Sequence, residues 1–175
     1  ERKRKMEEPI ISGVVHDVGE AKMTLLGVPD RPGVSALLFE SLAAANVNVD
    51  MIVQNTSIDG TTDISFTLPV GDIKTAEPIL KKVGEEVGAT GINKDENIVK
   101  LSLVGAGMKS SPGIAAKMFR VLANNGVNIE MISTSTIRIS VVVDRSELEK
   151  AVRALHTAFD LDSGEDYSAP LPDRK

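Results

Sequence analysis

The chain has 175 residues, of which 42% are hydrophobic, and this allows one ordinary domain or two small ones. A net charge of −5, with four Phe, one Tyr and no Trp, offers little to phosphate groups or bases, so we expect no nucleic-acid partner. No apolar run approaches the roughly 20 residues of a membrane helix, and no cysteine is present. These features predict a cytoplasmic protein without a membrane partner or a disulfide.

The first half of the chain reads as a strand, a loop and a helix. Ala21 to Gly27 (AKMTLLG) begins with alternating apolar and polar residues, which is the pattern of a half-buried strand. Pro32 and Gly33 lie in the loop that follows. A helix is predicted next, because apolar residues recur at a spacing of four. These residues are Val34, Leu38 and Leu42.

A hairpin and a second helix come next. Val47 to Ile52 alternates again and predicts a strand, Asp59-Gly60 is a turn signal, and Thr61 to Leu68 supplies the returning strand. The second helix is predicted near Ile73 to Val87. The short run Ala89 to Asn93 is the candidate for a last strand.

The same order of elements recurs further along the chain. A shift of 80 positions places Pro32-Gly33 over Pro112-Gly113 and NVNVDMI, from Asn46, over GVNIEMI, from Gly126. Such dense identity at one offset indicates two copies of one supersecondary unit. In the second copy we predict a strand at Val99 to Gly105, a helix through Ile114, Met118 and Leu122, a turn at Ser135-Thr136, a strand through Ile137, Ile139, Val141 and Val143, and a helix near Ser146 to Phe159.

Each copy is β-α-β-β-α, one strand short of the ferredoxin-like β-α-β-β-α-β sandwich. The second copy has no last strand of its own, since the acidic tail is poor in β-branched residues, and the strand-like run Ile10 to Val15 would complete it. We therefore predict an α+β protein of two ferredoxin-like domains, each an antiparallel sheet with helices on one face. The predicted ranges are 16–93 for the first domain, 94–160 with strand 10–15 for the second, and 161–175 for a flexible tail.

No recognisable set of catalytic groups is present in the sequence. His16, in a predicted polar turn beside Asp17, and His156, late in the last helix, read as structural histidines. No cluster of histidines and carboxylates has the spacing of metal ligands. VGAGMKSSPG, from Val104, has neither the P-loop nor the dinucleotide-binding pattern. We therefore predict no catalytic residue and no metal site in this chain.

Several phrases resemble the ACT domain, a small amino-acid-sensing module. The D-x-P-G loop, QNTS and GTTDISFTLP in the first copy, and LVGAGMKSSPG, GVNIEMISTS and IRIS in the second, are similar to the tandem ACT region of aspartokinases. The resemblance covers about Ile10 to Phe159. It implies a regulatory subunit or region that mediates feedback inhibition of aspartate phosphorylation by threonine, and in many members by lysine.

The resemblance also implies a homodimer and a catalytic aspartokinase chain as partner. It implies no cofactor here, since ATP and Mg would belong to the catalytic domain. Met6 resembles the start of a separate regulatory subunit, which would make Glu1 to Lys5 upstream sequence. Thr136 stands where many relatives have Glu, so a second effector site is expected to respond differently.

A free amino acid needs N–H donors for its carboxylate and a negative charge for its ammonium group. The unpaired N–H groups at a helix N-terminus supply such donors. Pro32-Gly33-Val34 opens the first predicted helix, and Gly33 allows the backbone to approach a ligand closely. Asp30 precedes it and could hold the ammonium group. The loop from Asp30 to Val34 is therefore predicted to bind an amino acid.

Residues of the repeated phrase are predicted to complete this site. By resemblance, Gln54 and Asn55 supply further polar contacts to a threonine-sized ligand. If two units pair edge to edge, the Asn128-Ile129 segment of one faces the loop of the other. The full predicted effector site is Asp30, Arg31, Pro32, Gly33, Val34, Ser35, Gln54, Asn55, Asn128 and Ile129.

A second effector site in the other loop is expected to differ, because Ser110 stands at the position of Asp30 and carries no charge for an ammonium group. Other functions stay open: an ACT pair that dimerises without a ligand, an ACT sensor of another amino-acid enzyme, or a catalyst of unfamiliar type, which the missing base and nucleophile oppose. The residues predicted for the second site are Ser110, Ser111, Gly113, Ile114, Asn48, Val49 and Ser135.

Overall fold

A computed structural model describes residues 10–55, 58–106 and 113–161, and the chain divides into two compact units. The first unit is Gly19–Ile98, and the second unit joins Glu1–Val18 to Val99–Lys175. In chain order the elements are β1 (Ile10–Asp17), β2 (Glu20–Pro29), α1 (Val34–Ala44), β3 (Ile52–Gln54), β4 (Thr61–Pro69), α2 (Ile73–Val87), β5 (Gly91–Asp95), β6 (Ile98–Ala106), α3 (Gly113–Asn124), β7 (Met131–Thr134), β8 (Arg138–Asp144) and α4 (Leu148–Ala158).

The first unit is a four-stranded antiparallel sheet in the order β3-β4-β2-β5, with α1 and α2 packed on one face. Alternate residues of the central strands point into the core, and the rings of Phe39 and Phe66 meet edge to face with centroids 5.7 Å apart. The predicted α+β fold with helices on one face is confirmed. The fully buried residues of the core include Met23, Leu25, Leu38, Leu42, Ile64, Phe66, Leu68 and Leu80.

The second unit has the same architecture, with strand order β1-β6-β8-β7. The N-terminal strand β1 lies antiparallel to β6, in a register that runs from Ile10 opposite Ala106 to Asp17 opposite Lys100. His16 therefore lies in a strand, and its prediction as part of a polar turn is wrong. The pairing of β1 continues to Asp17, so the first unit begins at residue 19 and not at 16.

The boundary between the units also lies further along the chain than predicted. Strand β5 extends to Asp95, because it pairs with β2 as far as Lys22 opposite Asp95. The first unit therefore ends at Ile98 and not at residue 93. Of the predicted tail, residues 162–175 lie outside the part of the chain that the structure describes.

The repeated phrase is less regular than the sequence predicts. Asn46 has φ of 60° and Gly126 has φ of 70°, and this left-handed conformation ends both helices as predicted. Strand β3 begins only at Ile52, so a continuous strand from Val47 is wrong. The physical reason is Thr67, whose hydroxyl oxygen accepts from the Met51 N–H at 2.9 Å while its carbonyl oxygen accepts from the Asp50 N–H. This irregular pairing replaces the ladder of an ordinary strand.

Each sheet also carries a pair of hydroxyl groups on its two central strands. Thr24 Oγ1 and Ser65 Oγ are 2.8 Å apart in the first unit. Ser102 Oγ and Ser140 Oγ are 2.7 Å apart in the second unit, and both residues are buried. The pair is a repeated polar feature of a fold whose other repeated positions are mostly apolar. Within the described ranges, no helix has the length and apolar character needed to cross a membrane.

Candidate functional site

The loop between β2 and α1 is held in place by the neighbouring strands. The Asp30 N–H donates to the Gly60 carbonyl oxygen at 2.9 Å, which ties the loop to the turn before β4. The Gly27 N–H donates to Asp63 Oδ1 at 2.9 Å, at a bulge where β2 shifts register against β4. The side chains of Asp30 and Arg31 are exposed, and no ion pair of either is found among the described residues. The backbone of the loop is therefore fixed while its carboxylate faces solvent.

Helix α1 begins without a side-chain cap. Its N-cap residue is Gly33, with φ of 94° and ψ of −16°, and a glycine has no side chain that could accept a hydrogen bond from the first turn. The Gly33 carbonyl oxygen already accepts from the Leu37 N–H at 3.0 Å, so the helical hydrogen bonds start there. The N–H groups of the first turn are the positive end of the helix dipole. They can donate to an anion such as a carboxylate.

Gln54 lies at the end of the edge strand β3, on the same side of the sheet as α1. It is paired with Ile64, a fully buried core residue, and directly opposed residues of a sheet share a face. The Ser35 hydroxyl donates to Gln54 Oε1 at 2.7 Å. Of the predicted effector-site residues, this bond directly joins Ser35 and Gln54. The structure therefore places a polar side chain from β3 beside the first turn of α1.

The other predicted residues of the first unit lie close in sequence to Ser35 or to Gln54. Val34 is buried in the core and anchors the first turn of α1. Pro32, just before α1, and Asn55, just after β3, are exposed. Asn48 is exposed between α1 and β3, and Val49 packs against the core. Asn48 and Val49 thus form an ordinary connection within the first unit, and their role in a second effector site stays a prediction.

The second unit presents the matching segment of the repeat. Asn128 is exposed between α3 and β7, and Ile129 is partly buried against the core of the second unit. Ser135 lies at the hairpin turn, where its N–H donates to the Arg138 carbonyl oxygen at 2.8 Å. Ser110 and Ser111 lie outside the described residues. The roles predicted for Asn128 and Ile129 stay a prediction.

A cavity of about 430 Å³ lies beside the start of α3. Its lining includes Gly113 and Ile114, both predicted for the second site, together with Ile11, Lys117 and Phe159. Lys117 Nζ lies 4.7 Å from the centroid of the Phe159 ring, a cation–π distance. Lys117 and Phe159 were not predicted from the sequence. Neither has a counterpart of similar chemistry in the first copy, so the internal repeat could not have indicated them.

In the described part of the chain, no group of three or more His, Asp or Glu side chains is placed to hold a metal ion. His16 lies in β1 and His156 in α4. The chemistry at the start of α1 is that of binding: backbone N–H donors, an exposed carboxylate and an amide. It suits a small zwitterion.

Comparison with known proteins identifies both units. The ACT-domain family model matches residues 22–88, and a second ACT-domain model matches residues 101–159. The chain is 46% identical to a chain of the solved aspartokinase alpha and beta subunits, with a TM-score of 0.81, and covers 99% of that chain and 86% of its own length. The chain belongs to the aspartokinase family. Its two units are ACT domains.

Other aspartokinases place the chain within the longer proteins of the family. It is 39% identical to the solved ligand-free regulatory subunit of aspartate kinase from Thermus thermophilus, with a TM-score of 0.81, and covers 98% of that chain and 85% of itself. It is 52% identical to the aspartokinase of Pseudomonas aeruginosa over 90% of its own length, but spans only 38% of that protein. The chain therefore corresponds to the regulatory ACT region of aspartokinases.

Proposed function

We propose that this chain senses threonine for an aspartate kinase and transmits feedback inhibition, with lysine as a second candidate effector. The first ACT domain would hold the ligand beside the start of α1. The observation that carries this proposal is the Ser35 to Gln54 hydrogen bond of 2.7 Å, which gathers polar side chains beside an uncapped helix N-terminus. The similarity to aspartokinases supports aspartate kinase as the enzyme that this chain would regulate.

Each part of a zwitterionic ligand has a partner in this arrangement. The ligand carboxylate would accept from the N–H groups of the first turn of α1. Its ammonium group would face the Asp30 carboxylate, which is exposed on a loop whose backbone is fixed by Gly60. Gln54 would bind the remaining polar group of the ligand. Asn128 and Ile129 of a second copy would close the site, as the edge-to-edge pairing of homodimeric ACT domains would allow.

A ligand that touches two copies favours the assembly in which its site is complete. Threonine is therefore expected to raise the melting temperature of the chain and to promote dimerisation. At 100 times its dissociation constant, a ligand adds about 2.7 kcal/mol to the free energy of unfolding. An aspartate kinase that contains this region would be inhibited by the same binding event, if the ligand-bound ACT domains favour a less active arrangement of the catalytic domain.

The test compares Asp30→Asn with Glu40→Gln by calorimetric titration and thermal unfolding. Both substitutions remove one exposed carboxylate charge from the same part of the first unit, and Glu40 lies on α1 away from the loop. Asp30→Asn is expected to lose the threonine-induced rise in melting temperature, and Glu40→Gln to keep it. Lysine is titrated in parallel.

An unchanged melting temperature of the unsubstituted chain at saturating threonine and lysine would reject the proposal. Dimerisation measured by analytical ultracentrifugation then separates the alternatives. A dimer that forms equally well with and without amino acids would support an ACT pair that serves only for assembly.

A further inference from the structure

The hydrogen bond between Ser35 and Gln54 has a defined direction. A side-chain amide oxygen can only accept, so the Ser35 hydroxyl must donate its single proton to Gln54 Oε1. A serine in a helix often turns its hydroxyl back to a carbonyl oxygen of its own helix, as Ser41 does towards Leu37 at 2.6 Å. Ser35 instead reaches across to the end of β3. The proton of the Ser35 hydroxyl is therefore used in a hydrogen bond that orients the Gln54 side chain.

Orientation matters for glutamine because the two ends of its amide group have similar shapes and opposite hydrogen-bonding character. The torsion angle that exchanges them is broad, and Gln54 is exposed, so packing does not fix it. Once Oε1 is held by Ser35, Nε2 points away from Ser35, and its N–H groups are turned so that they can donate to a ligand. The amide then presents donors rather than an acceptor.

The second ACT domain cannot build the same arrangement. Ala115 stands at the repeat position of Ser35, and Thr134 at that of Gln54. A methyl group cannot orient a neighbouring polar side chain, and a threonine hydroxyl can donate or accept without outside control. The oriented donor therefore belongs to the first domain alone.

We propose that Ser35 is a positioning residue that makes the first-domain site select amino acids whose side chain carries a hydroxyl acceptor over aliphatic amino acids of the same shape. This inference rests on the effector site proposed above. A site built to hydrogen-bond a ligand hydroxyl discriminates against the analogue without it, because its own polar group is left unpaired. Threonine and valine form the matching pair, since they differ by a hydroxyl in place of a methyl group.

The experiment measures dissociation constants for threonine and valine on four forms of the chain: unsubstituted, Ser35→Ala, Ser35→Thr and Ser41→Ala. Ser35→Ala is expected to reduce the preference for threonine about tenfold, the equivalent of one hydrogen bond. Ser35→Thr keeps a hydroxyl and should retain most of the preference. Ser41→Ala removes a serine hydroxyl elsewhere on α1 and should leave the preference unchanged.

A structural role for Ser35 would give a different result. If Ser35→Ala weakened threonine and valine binding equally, Ser35 would act on the helix and not on the orientation of Gln54, and the inference would be wrong. The same conclusion would follow if Ser35→Ala left both constants unchanged.

A second measurement needs no ligand. In ¹⁵N-labelled protein, the two side-chain N–H resonances of Gln54 are assigned by their disappearance in Gln54→Glu. Ser35→Ala is expected to shift them and Ser41→Ala to leave them in place. No shift in Ser35→Ala would overturn the proposed orientation. A clear shift, together with an unsubstituted chain that binds neither amino acid, would support the orientation but reject the effector site and hence the selectivity.

Discussion

The two ACT domains share their packing and differ at the start of their first helices. Leu38 and Leu42 of α1 are matched by Met118 and Leu122 of α3, and all four side chains are fully buried. Beside the first turn, by contrast, the first domain has a Ser–Gln hydrogen bond, and the second has Ala and Thr at the same positions. The comparison indicates that the repeat preserves the apolar helix residues that form the core, while the residues beside the first turn have diverged.

The largest expected effects come from substitutions at one matched core position, where the side chain is larger in the first domain than in the second. Phe66 and Val141 each follow an Ile-Ser pair in the returning strand, and both are fully buried. Phe66→Ala is expected to lower the free energy of unfolding by about 3–5 kcal/mol, because it leaves a large cavity beside Phe39. Val141→Ala removes fewer atoms and should cost about 2 kcal/mol. Urea unfolding followed by circular dichroism measures both, and a larger cost for Val141→Ala would contradict this.

The glycines that open the two helices offer a second contrast. Gly33 has φ of 94°, whereas Gly113 is not in the left-handed region, and an added Cβ would meet no atom within 4 Å at either position. Gly33→Ala is expected to cost about 1–2 kcal/mol through backbone strain alone. Gly113→Ala should change stability by less than about 0.5 kcal/mol. Equal costs in chemical denaturation would show that the two helix starts are more alike than the structure indicates.

The paired hydroxyl groups give the smallest expected effect. A double-mutant cycle with Ser102→Ala and Ser140→Ala should yield a coupling energy of about 1 kcal/mol, since both groups are buried and each single substitution leaves a hydroxyl unpaired. The cycle with Thr24→Val and Ser65→Ala should give about 0.5 kcal/mol, because this pair is only partly buried. Thermal unfolding of the seven proteins, the unsubstituted chain and three variants for each cycle, measures both couplings. A larger coupling for Thr24 with Ser65 would contradict this prediction.

Much of the fold follows from local patterns in the sequence. The second helix of the first domain was predicted near Ile73 to Val87, and α2 spans these residues, because its apolar positions keep a helical spacing and Gly88, with φ of 78°, ends it. The repeat gives independent evidence for the β-α-β-β-α elements that occur in both copies. Strand ends are less predictable: β3 begins late because the N–H groups of Asp50 and Met51 donate to Thr67, a residue on another strand.

The residues of the candidate site can be proposed from the sequence, but their geometry cannot. Asp30, Gly33 and Gln54 could be proposed from a loop motif and a resemblance. The contact of Ser35 with Gln54 depends on how α1 lies against the edge strand, and the two residues are 19 positions apart. The cation–π contact of Lys117, in α3, with Phe159, just after α4, likewise joins residues far apart in the sequence. No local spacing encodes such pairs.

The position of β1 has a consequence for the order in which the chain folds. The first domain is continuous in sequence, so all of its strands become available together during synthesis. The second domain cannot form its sheet as early, because β1 is synthesised before the first domain and its partner β6 only after it. Closing so long a loop carries an entropic cost. Prior folding of the intervening domain would lower this cost, because it shortens the flexible chain between β1 and β6. We therefore expect the first domain to fold first and to bring β1 near β6. Folding of the first domain would then assist folding of the second.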